Sequence, residues 1–243
     1  MLYKLIPQIG FPWAVRIVGF VALATLLISI AVMKVRVRPA SRRKLVDLAA
    51  FKEPAYTLFV IGGFVGFIGL YVPFFYIQIY AITHKITDTN MAFYLLSILN
   101  AASTFGRIVP NFLADKTGPF NMIVPCAIIS GVISLCLIPI NSLAPLIVCC
   151  VIYGFFSGSF VSLPPSVLVH LSPNRGMIGT RMGMCFTIVS IGVLIGTPIG
   201  GAILDSAGFN GAWIFGGVTT IVGGLIMAAG RICKAGWSLT TWV

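Results

Sequence analysis

The sequence predicts an all-α membrane protein, a polytopic helical bundle of about seven transmembrane helices, and three observations carry that expectation. Between Pro12 and Arg231 the chain reads as seven long apolar stretches parted by short polar breaks. Each stretch is about long enough to cross a ~30 Å hydrocarbon core at 1.5 Å per residue. The composition, 58% hydrophobic against 9% charged with a mean hydropathy of +1.05, would leave a soluble domain with far too much apolar surface. Finally, the cations gather in alternate breaks, as they do at the cytoplasmic ends of membrane spans.

Taken in order, the spans fall at 12–33, 55–80, 91–113, 121–141, 145–171, 182–203 and 211–231. Pro12 heads the first. Residues 34–54 form the longest break, 21 residues carrying Lys34, Arg36, Arg38, Arg42, Arg43, Lys44 and Lys52. Pro39 begins it as an extended segment. Ser41 through Lys52 has the pattern of a short helix along the inner leaflet, with Leu45, Leu48 and Ala49 toward lipid and Arg42, Arg43 and Lys52 toward headgroups. Pro54 suits the first turn of the second span, where a missing N–H costs nothing. Glycines recur every four residues as Gly62–Gly66, Gly154–Gly158 and Gly192–Gly196–Gly200, a small face for close approach of a neighbouring helix. Bent, glycine-lined helices also suit a rocking transporter. Pro164 and Pro165 are expected to break the fifth span and Pro198 the sixth.

Charge sets the orientation. The basic 34–54 loop is cytoplasmic by the positive-inside tendency. Alternating from it, Arg107, Lys116, Arg175, Arg181, Arg231 and Lys234 join the same side, 13 of the 16 cations, leaving Lys4, Arg16 and Lys85 on the other. The N-terminus is then outside and the C-terminus inside. A net charge of +11 can signal nucleic acid, but these cations lie in juxtamembrane breaks, where anionic lipid headgroups account for them. The expected partners are membrane lipid and a small molecule, with no nucleic acid.

Enzyme chemistry finds no foothold. Cys126, Cys136, Cys149, Cys150 and Cys185 lie within spans and Cys233 at an inner end, none in a C-x-x-C pair, so they read as small buried hydrophobes. His84 and His170 stand alone at opposite ends, so neither a metal nor any other cofactor is expected. There is no G-x-S-x-G, H-E-x-x-H or Walker-type loop, and none of the five carboxylates (Asp47, Glu53, Asp88, Asp115, Asp205) lies near mid-span.

The informative polar residues lie on the third span. At 100° per residue, Ser97, Asn100, Ser103, Thr104, Arg107, Asn111 and Ala114 share an arc of about 120°. In lipid, such a stripe must face the bundle interior or a water-filled cavity. Arg107 anchors it, about 9 Å inside the inner end of its span. Burying an Arg costs roughly 2.5–3.5 kcal/mol on insertion scales. Two readings stand. The guanidinium fork presents an anion site, or the side chain snorkels to the inner headgroups.

The run Gly106-Arg107-Ile108-Val109-Pro110-Asn111-Phe112-Leu113-Ala114-Asp115-Lys116-Thr117-Gly118 resembles the signature loop of the major facilitator superfamily, with Asn111 in place of the leading Gly and Pro119-Phe120 in place of the trailing basic pair. Tyr153–Pro165, Ile178-Gly179-Thr180-Arg181-Met182-Gly183-Met184 and Leu194–Gly200 are similar to its fungal monocarboxylate-transporter-like branch. The resemblance implies that 1–33 is an outer segment plus family helix six and that 34–54 is the cytoplasmic linker between halves. Residues 55–231 are then helices seven to twelve and 232–243 a cytoplasmic tail, with the first five helices absent. It also implies site roles. Arg107 matches an arginine used for substrate anion and proton coupling, with Asn100 and Ser103 beside it on the stripe. Animal members carry an acid where Ser103 stands. Phe160 matches an aromatic lining the substrate path. Asp115 and Gly118 match the gating loop, where Asp115 would cap a neighbouring helix dipole. Arg181, Gly192, Gly196 and Gly200 take gating or structural parts.

Three functions follow. The first is a secondary active transporter of the monocarboxylate-porter type, at the plasma membrane, moving a small organic acid or acidic natural product by alternating access. The second is a non-transporting fragment or half-transporter that needs a missing N-terminal half. The third and most remote is a seven-helix receptor, suggested by span count and orientation alone.

Overall fold

The computed structural model describes residues 2–34 and 45–236, apart from the side chains of residues 2–4 and 175. The described residues are helical, with turns and no strand. They divide into two compact units, Met1–Arg42 and Arg43–Val243.

The first unit is α1 (Leu2–Val32), whose stretch Leu5–Val32 has a mean hydropathy of 2.4. Gly10 interrupts it at φ 76°, a left-handed conformation open to glycine and costly for residues with a Cβ. Pro12 follows in the first turn of the resumed helix, where its missing N–H is no loss. The hydroxyls of Thr25 and Ser29 donate back to the Ala22 and Thr25 carbonyls at 2.9 and 3.0 Å, which meets these donors within the helix.

The second unit opens with a bend at Leu45 and a 3₁₀ helix, Leu48–Lys52. Of the amphipathic helix expected over Ser41–Lys52, residues 41–44 lie outside the described residues and 45–47 are not helical. Leu45, Leu48, Ala49 and Lys52 are exposed. Then come α2 (Pro54–Leu70), α3 (Val72–Thr83), α4 (Thr89–Thr117), α5 (Pro119–Cys136), α6 (Leu143–Ser162), α7 (Pro164–Leu171) and α8 (Ile178–Ala235). Pro54 takes the first turn of α2 as expected.

Two spans are interrupted along their length. The Pro164-Pro165 pair removes two successive N–H donors and splits α6 from α7 at Leu163. The break between α2 and α3 at Tyr71, just before Pro73, was not anticipated. There the Tyr153 hydroxyl donates to the Leu70 carbonyl at 2.5 Å. Pro198, in contrast, does not break its span. The helix runs through it, since a lone proline costs a single hydrogen bond, and the Tyr76 hydroxyl donates to the nearby Thr197 carbonyl at 3.0 Å. α5 ends at Cys136, five residues before the expected boundary, in turns around Pro139.

α8 runs 58 residues, about 87 Å if straight and nearly three times the ~30 Å core. It is a helical hairpin. Gly208 sits at φ 71°, ψ −172°, and the order of packing partners reverses across it. Before the bend, Gly192, Gly196 and Gly200 meet Phe64, Ile68 and Val72, so 178–207 runs parallel to α2. After it, Gly216, Gly223 and Gly230 meet Gly69, Gly66 and Ala55, so 209–235 runs antiparallel. Counting α8 once gives six described helices long and apolar enough to cross a membrane. Counting its arms apart gives seven. A Cβ at Gly192 would sit 2.6 Å from the Phe64 carbonyl oxygen, and one at Gly196 would overlap that of Ile68. In lipid, where apolar surface gains little from burial, such contact between backbones is what holds helices together.

Two clusters fill the second unit. Tyr56, Phe59, Phe120, Ile123 and Leu168 pack toward one end. Tyr80, Leu95, Leu137 and Trp213 pack toward the other, where the Tyr80 hydroxyl donates to the Ile140 carbonyl at 2.5 Å and its ring lies 5.1 Å from Phe209 beside the hairpin bend. The fold brings Lys52, Lys116, Arg181, Arg231 and Lys234 to the Phe120 end and leaves Lys85 at the Tyr80 end.

Candidate functional site

The third span of the sequence, α4, docks on α6 with the two helices parallel. Gly154 meets Leu99, Gly158 meets Ser103 and Gly106 meets Phe155. Hydrogen bonds follow the same seam. Ser159 Oγ donates to the Gly106 carbonyl at 2.7 Å, and the Asn111 amide donates to Ser162 Oγ at 2.7 Å. This contact divides the polar stripe. Ser103 is 6% exposed, pressed by Gly158, with its hydroxyl donating to the Asn100 carbonyl at 2.8 Å. Asn100, Thr104 and Arg107, rotated away from α6, are exposed. Asn100 and Thr104 satisfy their donors on α4 itself, at the Leu96 and Asn100 carbonyls.

Among the described residues the Arg107 guanidinium makes no ion pair or hydrogen bond. Tyr71 is half-buried at the α2–α3 break, its ring 5.6 Å from Phe74, 6.3 Å from Phe67 and 6.5 Å from Phe75. Phe160 lies one layer behind. It is 0% exposed, 5.0 Å from Phe67 and packed against Gly66. The four residues expected to contact substrate thus separate into an open pair, Arg107 and Asn100, and a buried pair, Ser103 and Phe160. Tyr71 was missed by sequence reasoning, because a tyrosine in an apolar run carries no sign that the helix breaks there.

Arg181 is a heavily bonded cation. At 2% exposure it donates through Nη1 and Nη2 to both oxygens of Glu53, at 2.8 and 2.5 Å. Its Nε reaches Asp47 Oδ2 at 3.2 Å, and Nη1 also donates to the Leu171 carbonyl at 2.7 Å. Tyr56 closes the cluster, its ring 5.5 Å from the guanidinium and its hydroxyl donating to the Arg181 carbonyl at 2.9 Å. A buried guanidinium needs such acceptors. The Arg181 hydrogen bond holds the Glu53 carboxyl below its usual range. The node ties the segment before α2 to the end of α7 and the start of α8. Its carboxylates supply two of the five in the chain, a scarcity that was the available signal.

Asp115 is exposed in the last turn of α4, and Gly118 ends that helix at φ 98° with its N–H on the Ala114 carbonyl at 2.8 Å. Lys116 lies over the Phe112 ring at 4.8 Å. All six cysteines are free thiols, Cys126, Cys150 and Cys185 buried. Among the described residues no three His, Cys, Asp or Glu side chains converge on a metal position.

Comparison with known proteins gives this bundle its kin. Residues 3–189 match the family model of the Major Facilitator Superfamily. The chain is similar to the MFS-type transporter dbaD of Emericella nidulans, 48% identical over 230 residues, which covers 93% of this chain and 52% of that protein. It is 40% identical to the aspyridones efflux protein apdF of the same fungus, covering 93% and 46%, and 34% identical to the agnestins efflux protein AgnL12 of Paecilomyces divaricatus, covering 95% and 53%. The chain therefore spans about half the length of the curated relatives it matches. A multi-pass helical bundle with the signature-like loop, matched by the family model over most of its length, belongs to the Major Facilitator Superfamily, a family of transporters and not of enzymes.

Proposed function

We propose that this chain supplies the Arg107-bearing half of a secondary active transporter that moves an acidic natural product or small organic acid. The observation that carries the reading is the exposed Arg107, which makes no ion pair or hydrogen bond among the described residues and shares its face of α4 with the exposed Asn100 and Thr104. A guanidinium presents parallel donors that match a carboxylate, and a charge held on a helix face inside the end of its span is worth its cost when it meets an anion. Relatives named for efflux of aspyridones and agnestins support a natural product over a simple metabolite and export over import. The monocarboxylate subclass rests on the sequence resemblance alone. Residues 1–33 are read as family helix six, 34–54 as the cytoplasmic linker, 55–231 as helices seven to twelve and 232–243 as a tail, with the cation-rich end cytoplasmic and the plasma membrane as its site.

Alternating access carries the substrate past a site formed between two halves, with no covalent chemistry. The α2–α3 and α6–α7 breaks are where backbone can bend, and the glycine seams along α8 are where helices can slide. A second reading, that this chain transports only beside an N-terminal half, is favoured by its covering about half of each relative. Family membership removes the support for a receptor. The test is flux of a labelled acidic substrate in vesicles, with the chain supplied alone and with an N-terminal half. Arg107→Ala should abolish flux at unchanged protein abundance, and Arg107→Lys should impair it by losing the bidentate fork. Parental flux in both variants would return Arg107 to snorkelling.

A further inference from the structure

We infer that Tyr153 is a positioning residue of the transport cycle: its hydroxyl latches the break between α2 and α3, and release of that bond frees α3 to swing against α2. The inference rests on the reading above that this chain belongs to an alternating-access transporter. The break lies inside one apolar span, Pro54–Thr83. Leu70 ends α2, so its carbonyl is among the four that a helix C-terminus leaves without an intrahelical partner. The Tyr71 N–H turns to Gly69, two residues back, and Pro73 in the first turn of α3 has no N–H to offer. Leu70 is fully buried, and in lipid no water makes up the deficit. The Tyr153 hydroxyl does, donating to the Leu70 carbonyl at 2.5 Å from a side chain of a residue only 2% exposed. The α6–α7 break is stitched differently. There the Leu163 N–H keeps its helical bond to Ser159 at 3.0 Å, and the Leu163 carbonyl takes the Val167 N–H at 3.1 Å.

Both partners of the latch sit on close backbone seams. A Cβ at Gly154, next to Tyr153, would overlap the Leu99 carbonyl, which fixes α6 on α4. A Cβ at Gly69 would overlap the Gly216 carbonyl, and one at Gly223 would lie 2.5 Å from the Gly66 Cα, which fixes the last turns of α2 on α8. Bending is thereby confined to residues 71–73. The backbone crosses that point through the Phe75 N–H, bonded to the Tyr71 carbonyl at 3.2 Å, beside the bond from Tyr153. Tyr56 and Tyr76 make comparable bonds away from the break: Tyr56 to the Arg181 carbonyl at 2.9 Å, and Tyr76 to the Thr197 carbonyl in a helix that runs on through Pro198. A single hydroxyl-to-carbonyl bond suits a latch, because its net worth is only about three- to tenfold in population. Differential binding of a substrate is enough to tip such an equilibrium.

Hydrogen exchange of the full chain in detergent, read by mass spectrometry, tests the latch. Tyr153→Phe removes the hydroxyl and keeps the ring, which lies 5.8 Å from Phe74. Amides of residues 71–76 should then exchange about tenfold faster, the factor for one buried carbonyl left without its donor. Tyr56→Phe is the matched control. It deletes another buried tyrosine bond and should leave residues 71–76 within about twofold of the parent. Unchanged exchange at 71–76 in Tyr153→Phe overturns the latch. Equal acceleration in both variants also overturns it, since that marks a general loss of stability. Flux of a labelled acid in vesicles, with an N-terminal half supplied, reads the consequence. Tyr153→Phe should raise the maximal rate about threefold with KM within about twofold of the parent, because leaving the latched state becomes easier while no substrate contact is lost. A structural defect lowers that rate in step with folded protein. An unchanged or lowered maximal rate per folded molecule therefore overturns the positioning role. If the parent moves no acid, the transporter reading fails and the positioning role with it, while accelerated exchange confined to 71–76 still establishes the latch.

Discussion

Arg107 and Arg181 both lie toward the cation-rich end of the bundle, yet the fold treats them in opposite ways. Arg181 is sealed among Asp47, Glu53, Tyr56 and the Leu171 carbonyl. Arg107 stands exposed, with no acid against it among the described residues. The difference follows from where carboxylates are. The segment before α2 brings two of them to the start of α8, while the Arg107 guanidinium makes no ion pair among the described residues. A cation already matched by protein acids braces the fold. One left open on a polar stripe is available to a ligand.

That contrast is most easily broken at Arg181. Arg181→Ala strands Asp47 and Glu53 and leaves the Leu171 carbonyl without its donor. Because the Glu53 side chain is 46% exposed, the loss should sit at the lower end for a broken buried pair, about 3 kcal/mol. In detergent this should lower the unfolding temperature by about 6–12 °C. Arg181→Lys, which keeps the charge but not the fork, should fall between. A variant melting like the parent would make the node ornamental.

Next in size is the glycine seam. Gly196→Leu drives a side chain into the Ile68 backbone, which cannot swing aside. The expected cost is about 1–3 kcal/mol, read as reduced folded yield after extraction. Gly183, with nothing within 4 Å of a built Cβ, is the matched control and Gly183→Leu should fold as well as the parent. Gly230 would be a poor control, since Leu58 and the Ala55 carbonyl crowd it.

A smaller effect concerns proton coupling. Ser103→Asp, which restores the acid of animal relatives, would press a carboxylate into the α4–α6 contact against Gly158. It should lower the unfolding temperature by a few degrees and confer no new pH dependence on flux. Gain of proton-coupled flux would show that Ser103 shares the open face with Arg107 after all.

The acid response of the node is smaller again. Glu53 has a folded-state carboxyl held below the usual 4.5, chiefly by the Arg181 hydrogen bond. Its stabilisation is whole above pH 4.5 and is lost as pH falls through the lowered value. Thermal stability should therefore be flat from neutral pH down to that point and decline below it. Glu53→Gln should blunt the decline. The least effect on stability belongs to Arg107→Ala, expected within about 0.5 kcal/mol of the parent despite its loss of flux. A large loss of stability there would erase the distinction between the two arginines.

Long apolar runs were enough to find the spans, because in lipid each helix must satisfy its own backbone and be apolar around most of its surface. Cation placement likewise anticipated that Lys116, Arg181, Arg231 and Lys234 share one end. Periodicity found the α4 stripe. It did not find which edge of that stripe α6 would cover, so Ser103 and Arg107, four residues apart, ended on different sides of a contact. Nor did it show that the helix would run through Pro198 yet break at Tyr71, where a distant residue, Tyr153, reaches the Leu70 carbonyl.

What the sequence alone determined is the class: a family, a bundle of apolar helices, and a charged end. Those properties are local sums over consecutive residues. The pairing of Arg181 with Glu53 and Asp47, the openness of Arg107 and the burial of Phe160 were decided only by tertiary structure. Each depends on which residues, more than 90 positions apart in most cases, the glycine seams allow to meet, and that proximity is a property of packed backbones that no stretch of sequence carries by itself.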